Sequence, residues 1–236
     1  RALFTLLFLL TASTVTAAEG KPSRLASPKL VSPKLTPPKD NQIVVAFVLT
    51  ESSTMIDFAG PWEVFQDVMF DKDGHHLMPF RLYTVSDSRA PIRATGGMQI
   101  IPDYTFDDAP KPHVVVIGAQ RGRSKKMIDW IRAQYSTADI VMSVCTGAFK
   151  LALTGLLDGK PATTHHDFYD RFTEEVPKAK LVRSSRFVQS DHKIYTAGGL
   201  TSGIDLALHI VELYYGRETA QRTATYMEYE GDGWKR

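Results

Sequence analysis

Ile140-Val141-Met142-Ser143-Val144-Cys145-Thr146-Gly147-Ala148 decides how this chain folds. The apolar, β-branched start reads as a buried strand. Helix-forming residues follow in Ala148-Phe149-Lys150-Leu151-Ala152-Leu153. Between strand and helix stand Cys145, Thr146 and Gly147, so the only cysteine of the chain sits at the tip of a tight strand–turn–helix junction. The turn logic is that of the nucleophile elbow of hydrolases. A lone cysteine is otherwise a common inert core residue. Here the free N–H groups of a helix start favour negative charge. The expectation is a thiol that loses its proton more easily than a free cysteine and is therefore reactive.

The segments on either side fit the same architecture. Ile43–Leu49 and Val114–Ile117 are continuous apolar runs, the pattern of strands buried on both faces, and Arg81–Val85 is a further strand. Gly96-Gly97 predicts a turn before a short strand at Met98–Ile101, and Ala162–His165 predicts another. Lys125–Tyr135 carries a helical apolar stripe at Met127, Ile128, Ile131 and Tyr135. Pro61 suits the first turn of a helix over Trp62–Phe70. Asp167–Glu175 predicts a polar helix, and Phe187-Val188 with Ile194–Thr196 a hairpin. A core-facing helix over Thr201–Tyr215 is punctuated by Gly216, and a last helix covers Glu218–Tyr229. Strands alternate with helices, so the fold class is α/β, with a mostly parallel central sheet and helices on both faces. In such sheets ligands bind beyond the carboxyl ends of the strands. That points to the loops after Leu49 and Ile117 and to the elbow at Cys145.

With 236 residues, 43% of them hydrophobic and twelve of them Phe, the chain can build a sizeable core. Its net charge of +2 is unevenly placed. Residues 1–41 hold six basic side chains against Glu19 and Asp40, leaving the remainder at −2. Charge therefore gives no support to nucleic-acid binding by the folded part. One cysteine excludes an internal disulfide, and no zinc-finger spacing occurs. Ala2–Leu10 is apolar, and Val15-Thr16-Ala17 is an A-x-A-like end, so residues 1–18 read as a signal peptide and imply export to the periplasm or medium. The run is too short to span a membrane, which needs about 20 apolar residues; no membrane association is expected after cleavage. Residues 19–41 repeat Ser-Pro-Lys-Leu and read as a Pro/Lys-rich disordered linker. The folded domain is expected over 42–236.

Several stretches together resemble the DJ-1/PfpI superfamily. They are Asp57-Phe58-Ala59-Gly60-Pro61-Trp62-Glu63-Val64-Phe65, Val144-Cys145-Thr146-Gly147-Ala148, Gly155–His165 and Thr196–Asp205. Within it the sequence is similar to the isonitrile hydratase-like branch, which in turn resembles the amidase-like sensor domains of AraC-type regulators. The resemblance implies a flavodoxin-like sandwich, a homodimer and a small-molecule electrophile as partner. It implies Cys145 as nucleophile and Asp57 as the acidic residue that meets it. Thr146 follows the cysteine where protease-like members carry His. A backbone N–H from Gly118 or Ala119 would join that of Thr146 as an oxyanion-type pair. Such a set hydrates an isonitrile to an N-substituted formamide, or adds to a carbonyl such as that of methylglyoxal. A redox sensor or a ligand-binding domain could use the same cysteine.

Glu63 and His165 are candidates for a supporting role. His165, His166 and Asp167 are not expected to hold a metal, because adjacent histidines on a strand face opposite ways, Asp167 reads as the cap of the next helix, and the spacing matches no ligand pattern. His75-His76 reads as a solvent-facing loop. Gly118–Gly122 lacks the G-x-G-x-x-G order of a dinucleotide site. No cofactor and no metal is called.

Overall fold

Seven strands form the central sheet of the protein, seen in a computed structural model that describes residues 34–72 and 75–235. They are β1 (Ile43–Val48), β2 (Phe80–Ser86), β3 (Tyr104–Thr105), β4 (Val114–Ile117), β5 (Ile140–Ser143), β6 (Phe187–Gln189) and β7 (Ile194–Ala197), in the order β6-β7-β5-β4-β1-β2-β3. All pairs are parallel except β6 with β7, the expected hairpin. The chain leaves β1 toward β2 and β3 and then returns to lay β4 on the other side of β1. That reversal of direction is the switch point at which an open α/β sheet forms a crevice.

Side-chain alternation along the strands builds two cores. Ile43, Val45, Phe47 and Leu49 enter one, with Val114, Val116, Ile140 and Met142. Ala46 and Val48 enter the other, with Val115, Ile117 and Val141. Helix α1 (Met55–Gln66) and helix α5 (Ser202–Tyr226) cover the first face. Helices α2 (Lys125–Thr137), α3 (Gly147–Ala152) and α4 (Tyr169–Glu175) cover the second. Burial on both faces is why these strands read as unbroken apolar runs.

Local chemistry explains most boundaries. The Ser124 hydroxyl accepts from Met127 N at 3.0 Å and caps α2. Gly216, at φ 83°, breaks α5 where the sequence places the division between two helices. The start of α1 corrects the expected helix over Trp62–Phe70. It begins at Met55, and Pro61 lies in its interior, without an N–H for the Asp57 carbonyl one turn earlier. Packing of Val64 and Phe65 into the core, and of Gly60 against Ile204, outweighs that lost bond. The consequence is functional: Asp57 stands in the first turn of a helix, not in a loop.

Other expectations shift in smaller ways. Of the predicted Ala162–His165 run only Ala162 is in a strand, Pro161–Ala162, which pairs with Lys180–Leu181. His75-His76 lies on a short strand, His75–Leu77, not in a loop. The predicted polar helix is a short 3-10 turn, His166–Phe168, followed by α4. The end of the expected linker is docked: Leu35 N donates to Leu213 O at 2.9 Å, and Leu35 packs on the first core. The leader-like stretch at 1–18, and the linker up to residue 33, lie outside the described residues. Among the described residues no helix is long and apolar enough to cross a membrane.

The tightest approach of helix to sheet occurs at Gly147. A Cβ there would stand 2.1 Å from the Ile117 carbonyl oxygen, so α3 must shift to admit one. Gly147→Ala is expected to cost about 2–3 kcal/mol in urea unfolding, the range of an overpacked core position. A loss under about 0.5 kcal/mol, the range of an ordinary surface change, would contradict this close contact.

Candidate active site

The carboxyl ends of β5, β4 and β1 lie side by side, and each is followed by one part of the site. After β1 the chain turns through Thr50–Thr54 into α1. After β4 it runs through Gly118–Ser124 into α2. After β5 comes the elbow. The first two loops are laced together. Thr50 Oγ1 donates to Gln120 Oε1 at 2.8 Å, and Gln120 Nε2 donates to Val48 O at 3.0 Å. Thr54 N donates to Ala119 O at 2.8 Å.

Cys145 has φ 58°, a left-handed conformation that a side chain other than glycine adopts only under constraint. The constraints are visible. Val144 N donates to Ile117 O at 2.9 Å, and Cys145 N donates to Gly198 O at 2.8 Å, just past β7. The Thr164 hydroxyl donates to Cys145 O at 2.9 Å. The turn is thus held from three neighbouring segments, and it aims the sulfur off the sheet edge into a space where Cys145 is only 6% exposed. The backbone N–H groups of Thr146 and Leu200 point at Sγ.

Asp57 is wholly buried. Its Oδ2 accepts from Ala119 N at 2.9 Å. Its Oδ1 forms no aligned hydrogen bond, yet the Cys145 thiol lies beside the carboxyl and each group acts on the other's proton affinity. The two are neighbours across which a proton can pass, and such pairs often align fully only with substrate in place. Burial pushes Asp57 up from an ordinary 3.8 to about 6, against the pull of the Ala119 N–H and of the thiol.

The thiol departs from the sequence expectation. Burial first, and the Asp57 carboxylate second, push Cys145 up to about 12, and the two N–H groups only partly offset them. The start of a six-residue helix does not overcome a buried site with a carboxylate beside it. The resting cysteine therefore keeps its proton.

The other predicted residues sort themselves by contact. Thr146 is in place through its backbone N–H. The Ala119 N–H is already committed to Asp57, so it does not pair with Thr146 as an oxyanion donor; the second N–H on the sulfur is that of Leu200. Gly118 serves by being small, since a Cβ there would come within 2.9 Å of Asp57 Cβ. Glu63 faces away. It is exposed and accepts from Gln66 Nε2 at 2.6 Å, six positions and most of a half-turn out of phase with Asp57. His165 is half-buried, and its ring lies against Gly199, where a Cβ would sit 2.2 Å from Cδ2. It backs the segment that carries the Leu200 donor.

Leu200, Thr164 and Gly198 were not singled out from the sequence. The Gly198-Gly199 pair before α5 is the trace they leave there. The argument against convergence of His165, His166 and Asp167 also needs correction. These residues leave the strand for a turn, the two rings stack at 4.5 Å, and one ligand atom from each of the three lies within 4.8 Å of the others.

The DJ-1/PfpI family model matches residues 44–213. Isonitrile hydratase of Pseudomonas putida is 30% identical over 190 residues, 78% of this chain and 78% of that protein. The HTH-type transcriptional regulator GbdR of Pseudomonas aeruginosa is 28% identical over 190 residues, 79% of this chain but only 50% of its own length. The crystal structure of a THiJ/PfpI family protein from Pseudomonas syringae superposes with a TM-score of 0.68 at 24% identity, over 81% of this chain and 76% of that one.

The raised Asp57 makes a stability prediction. The native carboxyl holds its proton more tightly than the unfolded one, so its contribution to stability is greatest below about pH 4, falls between there and about pH 6, and is flat above. A shift of this size corresponds to about 3 kcal/mol. Relative to Asp57→Asn, the parent protein should lose about 2–3 kcal/mol between pH 4 and 7 in urea titrations. Parallel pH profiles of the two proteins would contradict the assignment.

Proposed function

We propose, from the premise that the chain belongs to the DJ-1/PfpI family, that it is a cysteine-dependent enzyme that hydrates an isonitrile to an N-substituted formamide. The observation that carries this reading is the Cys145 elbow, with two backbone N–H groups aimed at its sulfur and a buried carboxyl alongside. The similarity to an isonitrile hydratase over most of both chains supports the choice of substrate class.

The residues divide the work as follows. Asp57 takes the thiol proton, and Sγ attacks the terminal carbon of R–N≡C. Asp57 returns the proton to that carbon, giving a thioimidate, Cys145–S–CH=N–R. Water adds across the C=N bond, its hydroxyl to carbon and its proton to nitrogen, with Asp57 placed to move the proton. The C–S bond then breaks, the hydroxyl proton returns to sulfur, and R–NH–CHO leaves. The Thr146 and Leu200 N–H groups stabilise negative charge on sulfur when it attacks and when it departs. One thiol, one isonitrile and one water enter; one thiol and one formamide leave.

A second reading is a ligand-binding domain, favoured by the similarity to about half of a transcriptional regulator. A peroxide-sensing role fits less well, because oxidation follows thiolate character and exposure. A homodimer and an extracytoplasmic location complete the proposal; the second rests on the leader-like pattern at residues 2–18.

Incubation with benzyl isonitrile, followed by proton NMR of the formamide, tests the reading. Turnover is expected, with Cys145→Ala inactive and Asp57→Asn slowed about 100-fold or more, the usual worth of a positioned acid–base group. Absence of formamide, or turnover that survives Cys145→Ala, would overturn it.

A further inference from the structure

Beyond Thr146, on the side of the sheet covered by α3 and α4, opens a groove of about 500 Å³. Its size is that of a small-molecule site. Phe149 and Val176 give it an apolar wall, and Cys145 does not line it. Its charge sets it apart. The folded part of the chain is net negative, yet five cations and two acids line this groove. The two acids are taken: Glu175 accepts from Arg171 at 2.6 Å, and Asp158 accepts from Lys178 at 3.0 Å.

Arg121, Arg123 and Lys150 remain. None of them forms an ion pair with an acid among the described residues, and the only side-chain hydrogen bond of Lys150 is a long one, 3.4 Å, to the Arg121 carbonyl. Lys150 is half-buried, and burial together with the Arg123 and Arg171 charges lowers its proton affinity. The like charges are held close by backbone, not by chance. Arg121 N donates to Glu51 O at 2.9 Å, and Gly122 N donates to Thr50 Oγ1 at 3.0 Å, so the arginine loop is fixed to the segment before α1. Lys150 is fixed by α3, one turn beyond the elbow. A cluster of cations that repel one another, fixed beside an apolar wall, is stabilised by an anion.

We infer that this groove binds a small organic anion, a carboxylate or a phosphate monoester on a compact apolar body. Arg121, Arg123 and Lys150 hold the anionic group, and the body lies on Phe149. Arginine supplies planar paired donors to either anion, and lysine adds a point charge. Thr146 lies on the edge the groove shares with the elbow, so under the proposed hydration chemistry the far end of the same molecule would approach Cys145. The binding claim stands without that chemistry.

Isothermal titration of the full chain tests it, with phenylacetate and phenyl phosphate as probes and phenylacetamide as the neutral isostere. At least one anion is expected to bind about tenfold or more tightly than the amide, and more weakly as salt is raised. Preference for phenylacetate assigns the site to carboxylates, preference for phenyl phosphate to phosphate esters; both support it. Arg123→Gln with Lys150→Gln should weaken the preferred anion about tenfold or more, and Arg121→Gln alone should weaken it measurably. Relief of repulsion should leave the melting temperature of the double variant unchanged or raised, which separates lost binding from lost fold. Cys145→Ala should bind the anion as the parent does while failing to form formamide, so binding and turnover fail independently. Equal binding of amide and anions, no anion binding below about 10 mM, or anion binding indifferent to both variants would overturn the inference.

Discussion

A sulfur and a carboxyl share one dry space at the edge of the sheet, with a proton between them, and the surrounding backbone is arranged to keep them there. Neither group is comfortable. Asp57 is buried with one oxygen unaligned, and raising its proton affinity to about 6 costs on the order of 3 kcal/mol at neutral pH. Cys145 occupies a left-handed backbone conformation. Both conditions persist because parallel strands bring three loops to one edge and lock them to one another through main-chain hydrogen bonds. The glycines at 118 and 147 allow α1 and α3 to approach β4 more closely than any side chain would permit.

This arrangement changes how the cysteine is activated. A helix start alone would lower a thiol's proton affinity. Here burial and a neighbouring carboxylate act in the opposite direction and dominate. The protein thus keeps a protected thiol at rest, and under the proposed hydration chemistry it makes a nucleophile only as Asp57 accepts its proton. The two N–H groups on sulfur then stabilise the charge that has moved. The cationic groove next door is a separate electrostatic device on the other side of Thr146, and it explains how a domain of net negative charge can still attract an anion.

Much of this was legible in the sequence, because parallel strands buried on both faces leave continuous apolar runs. Val114–Ile117 and the β6–β7 hairpin stand where they were expected, and Gly216 divides α5 as its residue type suggests. The elbow was legible for the same reason: one cysteine between a β-branched run and a glycine. What was not legible depends on contacts across the fold. Gly60-Pro61 reads as a helix start only when the packing of Val64 and Phe65 is unknown. The Ala119 N–H is claimed by a side chain 62 positions away, so its unavailability leaves no local trace. Leu200 contributes a backbone group, to which residue type is blind. His165, His166 and Asp167 converge because a strand ends three residues sooner than its composition suggests.

Carbon-13 NMR of the Asp57 carboxyl through a pH titration, in the parent protein and in Cys145→Ala, addresses the shared proton most directly. The account predicts a midpoint near 6 in the parent protein, and a higher one in Cys145→Ala, because the thiol that helps to hold the carboxylate is gone. A midpoint near the ordinary 3.8, or one that does not move when the sulfur is removed, would contradict it.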